Sequence, residues 1–312
     1  MNKYAIILAA GKGSRMKSKR DDISKVSFPI LGQPLVKYVI NVLKPIGFDK
    51  IIAVVGFGGK TSEKIVKDEC DVVWQNEQKG SGHAVMMAAP ILEGKEGSTI
   101  VCCGDTPLLS EETLAEMYRY HEKEGNDLTV MTSILDNPTG YGRIVKENGK
   151  VVRIVEQKDA TPEEKEIKEI NAGLYIFNNK ALFEALHHVG TNNAAGEYYL
   201  TDVLGIFVKW GLKAGSYVVS DRNETLGVND RAQLAVAAKL IQQRINKKLM
   251  LSGVTIEDPD NTYIGPSVKI DADTIIKPGC YIMGNTVIGS ECVIGPNAVL
   301  EDAIVPDGKI VK

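Results

Sequence analysis

No stretch of this chain approaches the roughly 20 apolar residues that a membrane-crossing helix requires. No charge of one sign dominates either: the formal net charge is −3, which gives no global pull toward nucleic acid or an anionic membrane. Cysteine is scarce. Cys70, Cys102, Cys103, Cys280 and Cys292 are odd in number and contain no C-x-x-C pair. That spacing argues against a disulfide framework or a zinc site, so a reducing cytoplasm fits best. The start, Met1 to Ala10, has the look of a signal peptide. Its apolar core, Ala5 to Ala10, is too short and runs straight into Gly-Lys-Gly-Ser-Arg with no cleavage site. What remains is a soluble chain of 312 residues, 44% hydrophobic, with core enough for two domains.

The first hundred residues alternate strand and helix. Tyr4 to Ala10 reads as a buried strand, and Gln33 to Pro45 as a helix with Leu35, Val36, Val39, Ile40 and Leu43 on one face. Ile51 to Val55 and Val72 to Trp74 read as strands, with a helix over Thr61 to Glu69 between them. Ser81 to Leu92 reads as helix and Thr99 to Cys103 as a buried strand. Ser110 opens another helix, with Glu111 and Glu112 at the positive end of its dipole. Such alternation implies a mostly parallel sheet covered on both faces. Arg143 to Glu147 and Lys150 to Glu156 flank Asn148-Gly149, a type I′ hairpin signal that adds antiparallel strands. A long helix is expected from Arg231 to Leu251, closed by Ser252-Gly253.

The last sixty residues repeat. Ile264, Ile270, Ile276, Ile282, Ile288, Ile294 and Leu300 recur every six positions. Four residues after each stands Val268, Thr274, Cys280, Thr286, Cys292, Ala298 or Ile304. This is the hexapeptide pattern of a β-helix, in which inward aliphatics stack from coil to coil. Three hexads make a turn, so two to three coils are expected.

The most informative segment is Leu8-Ala9-Ala10-Gly11-Lys12-Gly13-Ser14-Arg15-Met16. A strand ending in a glycine-rich basic loop forms a phosphate cradle where open α/β sheets bind ligands. Both glycines permit backbone angles closed to other residues and let a phosphate approach the main chain. The loop lacks the third glycine of a dinucleotide fold and the Gly-Lys-Ser/Thr ending of a P-loop. Gly104-Asp105 follows a buried strand, which places a carboxylate where it can hold Mg²⁺ against phosphate oxygens. Asn229 is a second oxygen ligand or a helix cap, and Asp230 can take the capping role instead. Gln75 and Gln78 offer paired amides suited to the edge of a base. Gly80 and Ser81 bring backbone N–H groups to a helix start, with Ser81 a candidate N-cap. His83 is read as a first-turn residue without a catalytic part, and His121, His187 and His188 as surface residues. Singly, Gly142, Glu156 and Asn171 read as turn and strand positions; their order along the chain gives them weight.

Taken together, these segments resemble the bifunctional N-acetylglucosamine-1-phosphate uridylyltransferase / glucosamine-1-phosphate acetyltransferase family of bacterial cell-wall precursor synthesis. Leu8 to Met16, Gln75 to Ala84, Gly104 to Leu108, Asn137 to Ile144, Ile154 to Thr161, Glu169 to Gly173, Asn193 to Asp202 and Gly227 to Asn229 carry the likeness. The resemblance implies that Leu8, Ala9, Ala10 and Gly11, with Cys103 and Gly104, line the nucleotide. It implies that Arg15 and Lys25 clamp the phosphates as the catalytic groups. Gln75, Gln78, Gly80 and Ser81 would hold the uracil; Gly142, Glu156 and Asn171 the amino sugar; Asp105 and Asn229 the Mg²⁺.

Some positions depart from the family pattern. Ser81 stands for Thr and Cys103 for Tyr. Lys17 to Ser24 is longer than usual, with Ser24 where Pro precedes the lysine. The family's acetyl-CoA residues lie on later coils that have no counterpart in these 312 residues, so no acetyl transfer is expected. The fold expected is a Rossmann-like α/β nucleotidyltransferase domain with a mixed sheet (1–230), a linking helix (231–251) and a short left-handed parallel β-helix (252–312). The function expected is formation of UDP-N-acetylglucosamine and pyrophosphate from UTP and N-acetylglucosamine 1-phosphate. The partners implied are these small molecules and a weak homotrimer, with no nucleic acid and no membrane. A related enzyme for another sugar or base, or a non-catalytic scaffold on this fold, are the alternatives.

Overall fold

A computed structural model of the chain describes residues 2–312. Met1, the first residue of the expected 1–230 domain and of the stretch weighed as a signal peptide, lies outside the described residues. The chain divides into two units: residues up to Phe28 together with Leu35–Asn229, and Pro29–Pro34 together with Asp230–Lys312.

In chain order, β1 (Lys3–Ala9) is followed by a short hairpin, β2 (Pro29–Ile30) and β3 (Gln33–Pro34), which belongs to the second unit. Then come α1 (Leu35–Leu43), β4 (Lys50–Val55), α2 (Gly59–Val66), β5 (Asp71–Trp74), α3 (Ser81–Met86), α4 (Ala89–Leu92), β6 (Ser98–Cys103) and α5 (Glu111–Glu124). β7 (Leu128–Ile134), β8 (Arg143–Glu147), β9 (Lys150–Val155), α6 (Pro162–Lys165), β10 (Glu169–Asn178), α7 (Asn179–Leu186), α8 (Asp202–Lys209) and β11 (Ala214–Val218) complete the first unit. Expected and observed bounds differ where backbone chemistry intervenes. The 81–92 helix is two helices, because Pro90 has no N–H to continue the ladder. The expected start of α1 at Gln33 gives way to the β2–β3 hairpin.

The first unit is built on one mixed sheet of nine strands, with the path β11-β7-β10-β6-β1-β4-β5 and β8–β9 off its side. β1 pairs in parallel with both β4 and β6. The chain thus runs outward from β1 to β4 and β5, then returns to the opposite side of β1 as β6. That reversal creates a crevice at the carboxyl ends of β1 and β6, the place where open α/β sheets bind ligands. β10 lies antiparallel between β6 and β7.

Alternation along β1 supplies both cores. Tyr4 and Ile6 join a cluster with Val85, Leu92, Leu182 and Phe207 on one face. Ala5, Ile7 and Ala9 join Val39, Ile40, Leu114 and Met117 on the other. α5 explains a correction. His121, expected at the surface, is 8% exposed because it extends the Leu114–Met117–Tyr118 stripe by one turn. Its Nδ1 lies 2.9 Å from Thr129 Oγ1. His187 is exposed and pairs with Glu93.

In the second unit, α9 (Arg231–Leu251) starts at Asp230, whose carboxylate accepts from Gln233 N at 2.8 Å. Ten strands of two or three residues follow, from Thr255–Ile256 to Ile310–Val311, stacked in three parallel sheets as a short left-handed β-helix. Ile264, Ile276, Ile282, Ile288 and Ile294 are fully buried along its axis. Inside, Thr274 Oγ1 donates to Gly289 O (2.7 Å) and accepts from Cys292 N (3.0 Å). The six-residue period slips in the last coil. Ile288 pairs with Val305, not with residue 306. Val305 is therefore the inward residue, and Ile304, four residues after Leu300 in the repeat, is 81% exposed. One residue fewer in a rung moves every later side chain to the opposite face.

Candidate functional site

β1 and β6 are in register at Leu8 and Cys103, and Gly104 N donates to Leu8 O at 3.0 Å. This pairing sets the Gly11–Met16 loop beside Gly104-Asp105. Gly13 takes φ +62°, and a Cβ there would sit 2.6 Å from Lys25 Cβ, so only glycine lets the lysine stem pass. Gly11 is not in the left-handed region; its lack of a side chain leaves open space, with nothing within 4 Å of where a Cβ would sit.

Four expected residues meet at this crevice. The Lys25 ammonium contacts the Asp105 carboxylate and donates to Asn229 Oδ1 at 3.1 Å. Arg15 Nη2 donates to the same oxygen at 2.9 Å. Val228 N donates to Asp105 O at 2.9 Å, which fixes the Gly227–Asn229 segment against the aspartate. Asp230 serves as the cap of α9, so Asn229 is not needed in that role.

Beside this cluster lies a cleft of about 280 Å³. Leu8, Ala10, Gly11, Lys25, Gln75, Gln78, Gly80, Ser81, Cys103 and Asp105 line it. Ala9 does not, because its side chain packs in the core beneath, and Gly104 is buried against Leu8. Gln75 is 3% exposed. Its Nε2 donates to Gly80 O and lies against His83 Nδ1, both at 3.0 Å. Gln78 Nε2 donates to Gln75 O at 3.1 Å. The glutamines thus order their own loop, and His83 orients one of them.

Gly80, rather than Ser81, is the residue preceding α3. It takes φ +111°, and a Cβ would lie 2.5 Å from Tyr198 O. The Ser81 hydroxyl instead accepts from Leu200 N at 3.0 Å. The Glu197–Leu200 segment therefore braces the glutamine loop, and Glu197 itself lines the cleft. Glu197 was not among the expected site residues, since its partner loop lies more than a hundred positions away in sequence.

The three residues expected at the sugar also converge. Asn171 N donates to Gly142 O at 2.9 Å, and a Cβ on Gly142 would lie 3.4 Å from Glu156 Oε1 and 3.5 Å from Asn171 Cβ. Asn171 Nδ2 donates to Tyr175 Oη at 2.7 Å, and Asn171 Oδ1 accepts from Gly173 N at 2.9 Å. Thr201 Oγ1 donates to Glu156 Oε1 at 3.3 Å. Burial raises the Glu156 carboxyl above its usual range, and the Thr201 hydroxyl opposes this only in part. Glu156 opens onto a second cleft of about 650 Å³, with Asp159, Tyr199 and Asp202 in its wall. Tyr175 and Thr201 are further residues that the sequence reading missed. Cys103 Sγ contacts Gly173 O at 3.7 Å, and burial pushes its thiol up to about 12.

No cluster of three or more His, Cys, Asp or Glu that could hold a metal occurs among the described residues. The donor set at Asp105 and Asn229 is nonetheless suited to Mg²⁺. Two hard oxygens are aimed at one cation, here the Lys25 ammonium. Mg²⁺ commonly takes one or two carboxylates and completes its shell with water and substrate phosphates.

Residues 4–223 match the family described as nucleotidyl transferase, and residues 261–302 match the bacterial transferase hexapeptide, six repeats. The chain is 50% identical over 276 residues to the bifunctional protein GlmU of Lactobacillus gasseri, covering 88% of this chain and 59% of that protein. It is 48% identical over 276 residues to the GlmU of a Geobacillus species, covering 88% and 60%. The chain thus spans about 60% of the length of these curated relatives. A solved UDP-glucose pyrophosphorylase, complexed with UDP-glucose, shares the fold. Its TM-score is 0.61 at 21% identity, covering 78% of this chain and 100% of that one. No helix among the described residues is long and apolar enough to cross a membrane.

Proposed function

The chain belongs to the nucleotidyl transferase family, and on that premise we propose that it makes UDP-N-acetylglucosamine and pyrophosphate from UTP and N-acetylglucosamine 1-phosphate. The observation that carries this reading is the meeting of Lys25, Arg15, Asp105 and Asn229 at the crevice between β1 and β6. Two cations and two hard oxygens there suit a polyphosphate. The identity to GlmU proteins supports the uridine and the amino sugar as its two ends.

Gln75, held by Gly80 and His83, and Gln78, held by Gln75 O, present the amide edge for uracil. Gly142, Glu156 and Asn171 hold the sugar, with Glu156 as acceptor for its hydroxyls. With both substrates oriented, a sugar phosphate oxygen attacks the α-phosphorus in line and pyrophosphate departs. Most of the acceleration comes from positioning and from charge arranged in advance. Lys25 and Arg15 counter the negative charge that builds on the leaving phosphates. No general base is required, because a phosphate monoester dianion is already deprotonated. Asp105 and Asn229 would hold Mg²⁺, which supplies Lewis-acid stabilisation of phosphate charge when bound.

The proposed activity is uridylyl transfer without acetyl transfer by these 312 residues. The proposed setting is the cytoplasm, as a weak homotrimer; Tyr263, Tyr281 and Val299, exposed in register on one β-helix face, support an assembly. The test is pyrophosphate release with UTP, Mg²⁺ and a panel of sugar 1-phosphates. Release only with N-acetylglucosamine 1-phosphate is expected. Preference for another sugar or nucleotide moves the chain to a related specificity, and no release with any pair defeats the catalytic reading.

A further inference from the structure

Lys25 sits where a metal ion would sit. Its ammonium contacts Asp105 and Asn229 Oδ1, the two side chains assigned to Mg²⁺ above. The Lys25 and Asp105 side chains are only 16% and 14% exposed, so bulk water screens the pair weakly. The lysine stem is guided there by Gly13, which has no Cβ to block it. Arg15 donates to the same Asn229 oxygen. A divalent ion entering this position meets an ammonium in contact with both of its ligands.

We propose that Lys25 is a plug: it keeps the metal position closed until a nucleoside triphosphate arrives, so that metal and nucleotide load together. This rests on the reading of Asp105 and Asn229 as metal ligands. A triphosphate offers Lys25 and Arg15 several charged oxygens in place of one carboxylate and one amide. As the two cations turn to the phosphates, Asp105 and Asn229 are released to an ion that those same phosphates carry in. Lys25 thus does two jobs with one charge, excluding metal before the nucleotide binds and clamping phosphate afterwards.

The experiment titrates the full chain with Mn²⁺ alone and follows the free aquo-ion signal by electron paramagnetic resonance. The proteins are wild type, Lys25→Met, Lys25→Gln, Lys25→Arg and the double variant Lys25→Met/Asp105→Asn, each checked for fold by circular dichroism. Removing a positive charge at contact distance is expected to tighten Mn²⁺ binding by about tenfold or more in both neutral variants. Lys25→Arg keeps the charge and should bind as weakly as wild type. The double variant should lose the gain. A merely structural lysine would not raise metal affinity on removal. Wild type binding Mn²⁺ as tightly as the neutral variants, with sensitivity to Asp105→Asn, overturns the plug and leaves the metal ligands standing. Absence of Asp105-dependent binding in every variant overturns the metal assignment, and the plug with it.

Discussion

Asp105→Asn is the most demanding test of the proposed chemistry. The substitution keeps the shape of the side chain and its suitability for a turn, and leaves the backbone bond from Val228 N to Asp105 O in place. It removes one charge, the one that faces Lys25. Breaking a fully buried pair costs about 3–5 kcal/mol. Here both side chains are mostly buried but Lys25 retains Asn229 Oδ1, so the stability loss should fall between that figure and the ~1 kcal/mol of exposed pairs. The rate should fall as well, because the charge acts where phosphate charge changes. Loss of one contact of this kind costs about 2.7–4 kcal/mol, or roughly 10²–10³ in kcat. Pyrophosphate release, measured at saturating substrates on protein with wild-type circular dichroism, should show that fall, with partial recovery at high Mg²⁺. Near-normal turnover in the folded variant would refute the role of Asp105 and the mechanism built on it.

Four further outcomes are expected. Gly80→Ala forces a Cβ to 2.5 Å from Tyr198 O at φ +111°; it should cost about 1–3 kcal/mol in urea melts and raise KM for UTP more than for the sugar phosphate. Glu156 has its folded pKa raised by burial, so wild type loses stability as pH rises from the ordinary carboxylate pKa through the raised one. Glu156→Gln removes that loss, and its stability relative to wild type should increase as pH rises above the ordinary carboxylate pKa; a flat difference would show that the carboxylate is not buried. Cys103, pushed up to about 12, should alkylate at pH 8 about 10²–10³-fold more slowly than a free thiol, as read by mass spectrometry of the native protein. Thr274→Val leaves Gly289 O and Cys292 N without their bonds inside the β-helix; a loss of about 2 kcal/mol is expected, seen as faster amide exchange in the coils.

What could be read in the sequence was whatever depends on neighbours in sequence. β1 announced itself through its apolar run, the β8–β9 turn through Asn148-Gly149, and the β-helix through a period of six. Each is a local rule repeated. The antiparallel seat of β10 between β6 and β7 has no such local sign, since it depends on which edges are free once the parallel strands have paired. The same holds for Glu197, Tyr175 and Thr201, whose partners lie far away along the chain. His121 shows a different failure: charged neighbours drew attention from its place on the apolar stripe of α5. The slip that turns Ile304 outward is visible as a five-residue step from Leu300 to Val305, once the register is known.

The β2–β3 hairpin bears on how this molecule can be cut and recombined. Six residues, Pro29–Pro34, are counted with α9 and the coils although most of their neighbours in sequence build the mixed sheet. Ile30 is 2% exposed, and Leu31 O lies 3.4 Å from the place a Cβ on Gly265 would take. The coils are therefore not a detachable cassette. A fragment ending at Asn229 carries the hairpin away from the rest of its unit. A fragment beginning at Asp230 lacks a strip of its own surface. Exchange of coil segments between relatives at this boundary would have to carry the hairpin sequence along, two hundred positions upstream, for either part to close.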